Sequence, residues 1–206
     1  GKAGYGIWDL EQDPQSIRQE ILVISPLRQF DSVLLTALLA KLHFETEYAT
    51  RNHRRIRILL ARMQRERILE THADGYGYVI APDLRPILDL YWQATQPEDH
   101  LRVHIFAASW YHIEVEKGDY VAIADRIYHL GGIIRDFARS PELKIKLEFV
   151  NHIPDFPSQL FYELEMTLQK LHSYSQRPFD QTNKIIHILS QKEFKVIFEP
   201  DILQDL

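Results

Sequence analysis

The sequence predicts an α+β protein in two parts, and three observations carry that prediction. The first half shows helical apolar spacing and then a short glycine-containing hairpin. The second half alternates strand-like and helix-like segments. Between them lies a polar, proline-containing stretch, "TQPEDH", at residues 95–100. The expected organisation is an N-terminal extension or helix over 1–24, a helix-and-hairpin domain over 25–95 and a small α/β domain over 96–206 that dimerises, senses a ligand or docks to partners.

Taken in order, "DPQSIRQEILVI" offers a helix with Asp13 as cap and Pro14 in its first turn. "SPLRQFDSVLLTALLAKLHFE" is a firmer helix, starting at Ser25-Pro26 or at Asp31. Its Leu34, Leu35, Leu38, Leu39 and Leu42 cover enough of the circumference to bury it. A polar link, "TEYATRNH", leads to a helix over 54–67, where Ile56, Leu59, Leu60 and Met63 fall at i, i+3, i+4 and i+7. "ILETH" and "YVIAP" then flank Asp74-Gly75-Tyr76-Gly77, whose glycines supply the positive φ that a tight hairpin needs. "DLRPILDLYWQ" reads as a helix with Pro86 in its first turns.

Beyond residue 100, "LRVHIFA" (101–107) reads as a strand. "DYVAIADRIYHLGGIIRDFA" reads as a helix weakened in its middle by Gly131-Gly132. "LKIKLEFV" alternates apolar and charged residues as a half-buried strand does, "PSQLFYELEMTLQKLHSYS" is amphipathic, and "KIIHIL" and "FKVIFE" suggest a closing strand pair. Strand, helix, strand, helix, strand is the order of a small α/β layer.

Composition excludes several classes of function. The chain has no cysteine, so disulfides, thiolate metal sites and a cysteine nucleophile are excluded. Every apolar run is broken by charge well short of the roughly 20 residues of a membrane span, and no stretch reads as a signal peptide. An intracellular, cytoplasmic setting is expected, with nucleoid association compatible with it and no membrane partner. The first residues, Gly1-Lys2-Ala3, read as the start of a fragment. The net charge is −5, so any basic surface must be local.

One such surface is legible. At about 100° per residue, Arg51, Arg54, Arg62 and Arg65 lie opposite the apolar stripe of the 54–67 helix. Arg55 and Arg57 flank it, and Ile58 sits among the arginines. Helix, link, basic helix, glycine-containing hairpin: this order, over residues 25–95, resembles the winged helix-turn-helix domain. The resemblance implies a non-enzymatic DNA-binding protein, with a bacterial transcription regulator as one version. Arg51, Arg54, Arg55, Ile58, Arg62 and Arg65 would face duplex DNA, and Tyr76 would touch the backbone from the wing. Only Asn52 and Gln64 are at hand as further base-reading side chains, so phosphate contact is expected to dominate over sequence reading. Winged helices also serve as protein-binding modules. The competing expectation is therefore an adaptor subunit of a DNA-processing or chromosome-organising assembly, or a homodimer, using the same face for protein contacts.

Enzyme signals are sparse. There is no phosphate-cradling glycine loop and no His-Glu-x-x-His. Asp125, Asp136 and Glu142-Leu143-Lys144 loosely resemble a metal-dependent nuclease core, although alternation alone explains Lys144 as a solvent-facing strand residue. His100 and His104 are four apart, which suits a metal on a helix but not on the extended "LRVHIFA". No catalytic residue, cofactor or metal is therefore expected.

Overall fold

A computed structural model of the chain describes residues 20–43, 53–72, 77–119, 121–139 and 162–170, the side chains of 43, 53–55 and 137–139 apart. The chain forms two compact units, residues 1–103 and 104–206.

In the first unit, residues 20–24 are helical, and α1 (Ser32–His43) and α2 (His53–Arg65) follow. An antiparallel hairpin pairs β1 (Leu69–Thr71) with β2 (Tyr78–Ile80), Leu69 opposite Ile80 and Thr71 opposite Tyr78. Helix α3 (Arg85–Thr95) comes next, with Pro86 in its first turn as expected. Asp31 rather than Ser25 starts α1: its Oδ1 accepts the backbone N–H groups of Val33 and Leu34, at 3.0 and 2.7 Å, so two donors that a helix start leaves unsatisfied are satisfied.

The core of this unit is the one that the spacing predicts. Leu34, Leu35, Leu38 and Leu39 of α1 and Ile56, Leu59, Leu60 and Met63 of α2 are all buried, α1 packs on α2, and α2 packs on β1. Leu42 is half-buried. Each such side chain contributes roughly 1.5–3 kcal/mol of apolar burial.

Helix α2 ends in a left-handed turn without glycine. Ile68 N–H donates to Met63 O at 2.9 Å and Arg67 N–H to Gln64 O at 3.0 Å, with Arg67 at φ 59°. This turn aims the chain into β1.

The hairpin has a further rung. Phe30, just before α1, exchanges both backbone hydrogen bonds with Tyr78, at 3.0 and 2.7 Å, and its ring lies 5.9 Å from the Tyr78 ring. Gly77 makes this close approach possible. Its φ is +84°, and a Cβ there would sit 2.8 Å from Phe30 O. Gly77→Ala is expected to destabilise the first unit by about 1–2 kcal/mol, measured by urea unfolding; an unchanged midpoint would show that the rung contributes nothing.

Helix α4 (Pro97–Glu116) follows α3 after the single residue Gln96, and it corrects the sequence reading. The strand expected at 101–107 is the second and third turns of this helix. Pro97 followed by Glu98 and Asp99 is a helix start, because proline loses no needed donor there and the acidic residues favour the positive end of the helix dipole.

In the second unit, the remainder of α4 ends at Gly118 (φ +98°) with the same pair of bonds that closes α2. Helix α5 (Ala122–Arg139) runs unbroken through Gly131 and Gly132, and residues 162–170 are helical. Apart from the turn at 117–119 and 121, the described residues of this unit are helical. The strands expected at 143–150, 184–189 and 194–199 lie outside the described residues. Among the described residues, no helix is long and apolar enough to cross a membrane.

Candidate nucleic-acid interface

Helix α2 is two-faced because its apolar residues recur with the helical period and its arginines fill the gaps. Burying Ile56, Leu59, Leu60 and Met63 fixes the rotation of the helix and so turns the opposite face outward. Arg57 and Arg65 are exposed, and Ile58 is half-buried. Arg62 is partly exposed, and its Nε donates to Glu66 Oε1 at 2.8 Å, an i, i+4 pair that holds its guanidinium toward the C-terminal end of the helix. Gln64 Nε2 donates to Thr71 Oγ1 at 3.2 Å and ties α2 to the hairpin. Gln64, expected as a base-reading side chain, is thus engaged with β1.

Arg54 and Arg55 lie in the first turn of α2. Arg51 and Asn52, before α2, and Tyr76, in the hairpin loop, lie outside the described residues. The helix therefore gathers Arg57, Ile58, Arg62 and Arg65 on its outer side, with Arg57, a flanking residue in the sequence reading, fully part of the exposed set.

Of the nuclease-like residues, Asp125 and Asp136 do not come together. Asp125 and Asp136 are both buried on α5, but they are eleven residues apart, which is about 16 Å along a helix axis. One ion cannot join them. Glu142 and Lys144 lie outside the described residues.

Two polar groupings went unread in the sequence. In the first unit, His100 Nε2 lies 2.9 Å from Asp89 Oδ1, and the His100 ring meets the Trp92 ring edge-on at 5.7 Å. In the second unit, His104 and His129 are fully buried with their Nδ1 atoms 3.0 Å apart, and the His129 ring stacks on Tyr111 at 5.7 Å. The i, i+4 spacing of His100 and His104 was the available signal, and the strand reading concealed it.

The second unit also carries a charged group nearer its surface. Arg126 donates to Glu163, and Lys170 donates to Glu116. Burial, and next the Arg126 charge, hold the His112 imidazole below its usual 6.5. The Lys170 hydrogen bond holds the Glu116 carboxyl below its ordinary value, while burial lowers Arg126 against the opposing pull of Glu163. These contacts join α4, α5 and the 162–170 helix by charge-assisted hydrogen bonds.

No family model, curated protein or solved structure matches this chain.

Proposed function

We propose that residues 25–95 act as a winged-helix module whose α2 contacts duplex DNA, without catalysis. The observation that carries this reading is the geometry of α2: a fully buried apolar stripe turns Arg57, Arg62 and Arg65 outward on a helix followed directly by an antiparallel hairpin. The Phe30–Tyr78 rung supports it, because this single β-bridge before α1 lies beside the two-stranded hairpin where a winged helix carries a third short strand. On a chain of net charge −5, the outward arginines form a local positive face, suited to phosphates and less to reading base edges.

A second reading, an adaptor subunit of a larger assembly or a homodimer, is favoured by a different observation. On and just before α3, Leu84, Ile87, Leu90 and Tyr91 are exposed at spacings of three and four, an apolar row along one side of the helix.

The test is duplex binding by fluorescence anisotropy for wild type and Arg62→Glu/Arg65→Glu across a salt series. Wild type should bind, with log affinity falling linearly in log salt. The variant should bind more weakly, with a slope shallower by about 2, near one unit per lost phosphate contact. Absence of wild-type binding at low salt sinks the DNA reading and leaves the adaptor. Binding that is lost in the variant yet indifferent to sequence points to a subunit of a DNA-processing or chromosome-organising machine rather than an operator-specific regulator.

A further inference from the structure

We propose that the second unit carries an acid-sensitive latch: protonation of His112 loosens the hold of α4 and α5 on the 162–170 helix. Every residue of the latch belongs to the second unit, so it is separate from the arginine face of the first.

The 162–170 helix has little apolar hold. Leu164 is its one fully buried large apolar side chain, while Tyr162 and Leu168 are exposed. Thr167 is buried, but its hydroxyl donates to Glu163 O at 2.7 Å within the same helix. Two charge-assisted hydrogen bonds supply the rest of the hold. Arg126 of α5 donates to Glu163, and Lys170 donates to Glu116 of α4. Glu163 and Lys170 are about two turns apart, so the two pairs fasten the helix near both its ends. The Arg126 side chain is 5% exposed, and its buried charge depends on Glu163.

His112 precedes Glu116 by one turn on the same side of α4. The charged groups that act on it are Arg126 from α5, Glu163 and Lys170 from the 162–170 helix, and Glu116 from α4 itself. Both carboxylates are already engaged, Glu163 with Arg126 and Glu116 with Lys170. A protonated His112 adds a third cation to this group and meets the Arg126 charge where water screens poorly. It gains a carboxylate only by drawing it from Arg126 or Lys170, which undoes a fastening. The His112 Nδ1 atom sharpens the effect, because it is buried with no hydrogen-bond partner among the described residues. A neutral ring keeps its proton on Nε2 and leaves Nδ1 a bare acceptor. A charged ring must carry a proton on Nδ1, a buried donor with no acceptor.

Burial first, and the Arg126 charge next, hold the docked imidazole below 6.5, against the pull of Glu163 and Glu116. Departure of the 162–170 helix admits water to the ring and screens Arg126, so both lowering effects relax. The released state therefore takes up the proton first. Docking is at full strength above pH 6.5 and weakens as pH falls below it, until the docked imidazole is protonated as well. Glu116 stays ionised across this window, because its hydrogen bond from Lys170 holds its carboxyl below the ordinary 4.5.

The experiment follows amide hydrogen exchange of the full chain by mass spectrometry between pH about 8 and about 5, with rates corrected for the intrinsic pH dependence of exchange. Peptides covering 162–170 should lose protection as pH falls, while the β1–β2 hairpin of the first unit keeps its own. His112→Gln, uncharged at every pH, should match wild type at the upper end and stay protected at the lower. Absence of loss in wild type, or loss shared equally by the hairpin, overturns the latch. So does loss that persists in His112→Gln, as it would if Glu163 were the titrating group. A second readout needs no variant: the His112 ring of wild type, followed by NMR, should titrate below 6.5, and a midpoint at or above that value overturns the latch.

Discussion

Trp92→Ala is expected to destabilise the first unit by about 3–5 kcal/mol, measured by urea unfolding followed by circular dichroism. Trp92 is 1% exposed and is the largest fully buried side chain of α3. Its indole Nε1 donates to Gln96 Oε1 at 3.1 Å, and its ring lies against His100. The hydrogen bond contributes little of the loss, since Gln96 is exposed and water replaces the partner. The cavity decides the magnitude, because α3 and α4 are joined by one residue and have little freedom to close over the missing ring. Trp92→Phe keeps most of the volume and should cost about 1–2 kcal/mol. A loss below 1 kcal/mol for the alanine variant would mean that the indole does not pack as described.

Gly132→Ala is the second large effect, with an expected net loss of about 2–3 kcal/mol in the second unit. Two terms oppose each other. Alanine in mid-helix gains about 1 kcal/mol over glycine. Against this, the added Cβ would stand 2.4 Å from two atoms of the His104 ring. That ring is fully buried, bonded to His129 and packed near Tyr128 at 6.0 Å, so it has no open direction in which to move. The overpacking term should therefore exceed the propensity term. The equilibrium unfolding of Gly132→Ala checks the sign: a stabilised protein would show that the His104 ring is free to swing aside.

What was legible in the sequence was what local spacing encodes. Asp31, the leucines of α1 and the four apolar residues of α2 lie close together in sequence, and the helical period alone places them. Asp74-Gly75 and Gly77 announced a turn between β1 and β2 for the same reason, since a positive φ is a property of one residue. The misreading at 101–107 has a specific cause. His100 and His104 occupy core positions of α4, on a stripe continued by Ala107, Ala108, Tyr111 and Val115. Counted as polar, the histidines erase the helical period and leave a short β-like run. Counted as buried, they restore it, and Pro97-Glu98-Asp99 becomes the start signal that it is.

By itself, the sequence determined the two faces of α2, the hairpin and the absence of cysteine chemistry, because each depends on residues near one another along the chain. It set Arg51, Arg54, Arg55, Ile58, Arg62, Arg65 and Tyr76 as the candidate DNA-facing set, a reading that the salt series tests. Only the tertiary structure decided that Asp89 meets His100 from a neighbouring helix, that His104 meets His129 across twenty-five residues, and that Gly132 is small to admit a ring rather than to break a helix. Those facts are contacts between helices, and the spacing of residues within one helix does not encode which neighbour it will meet.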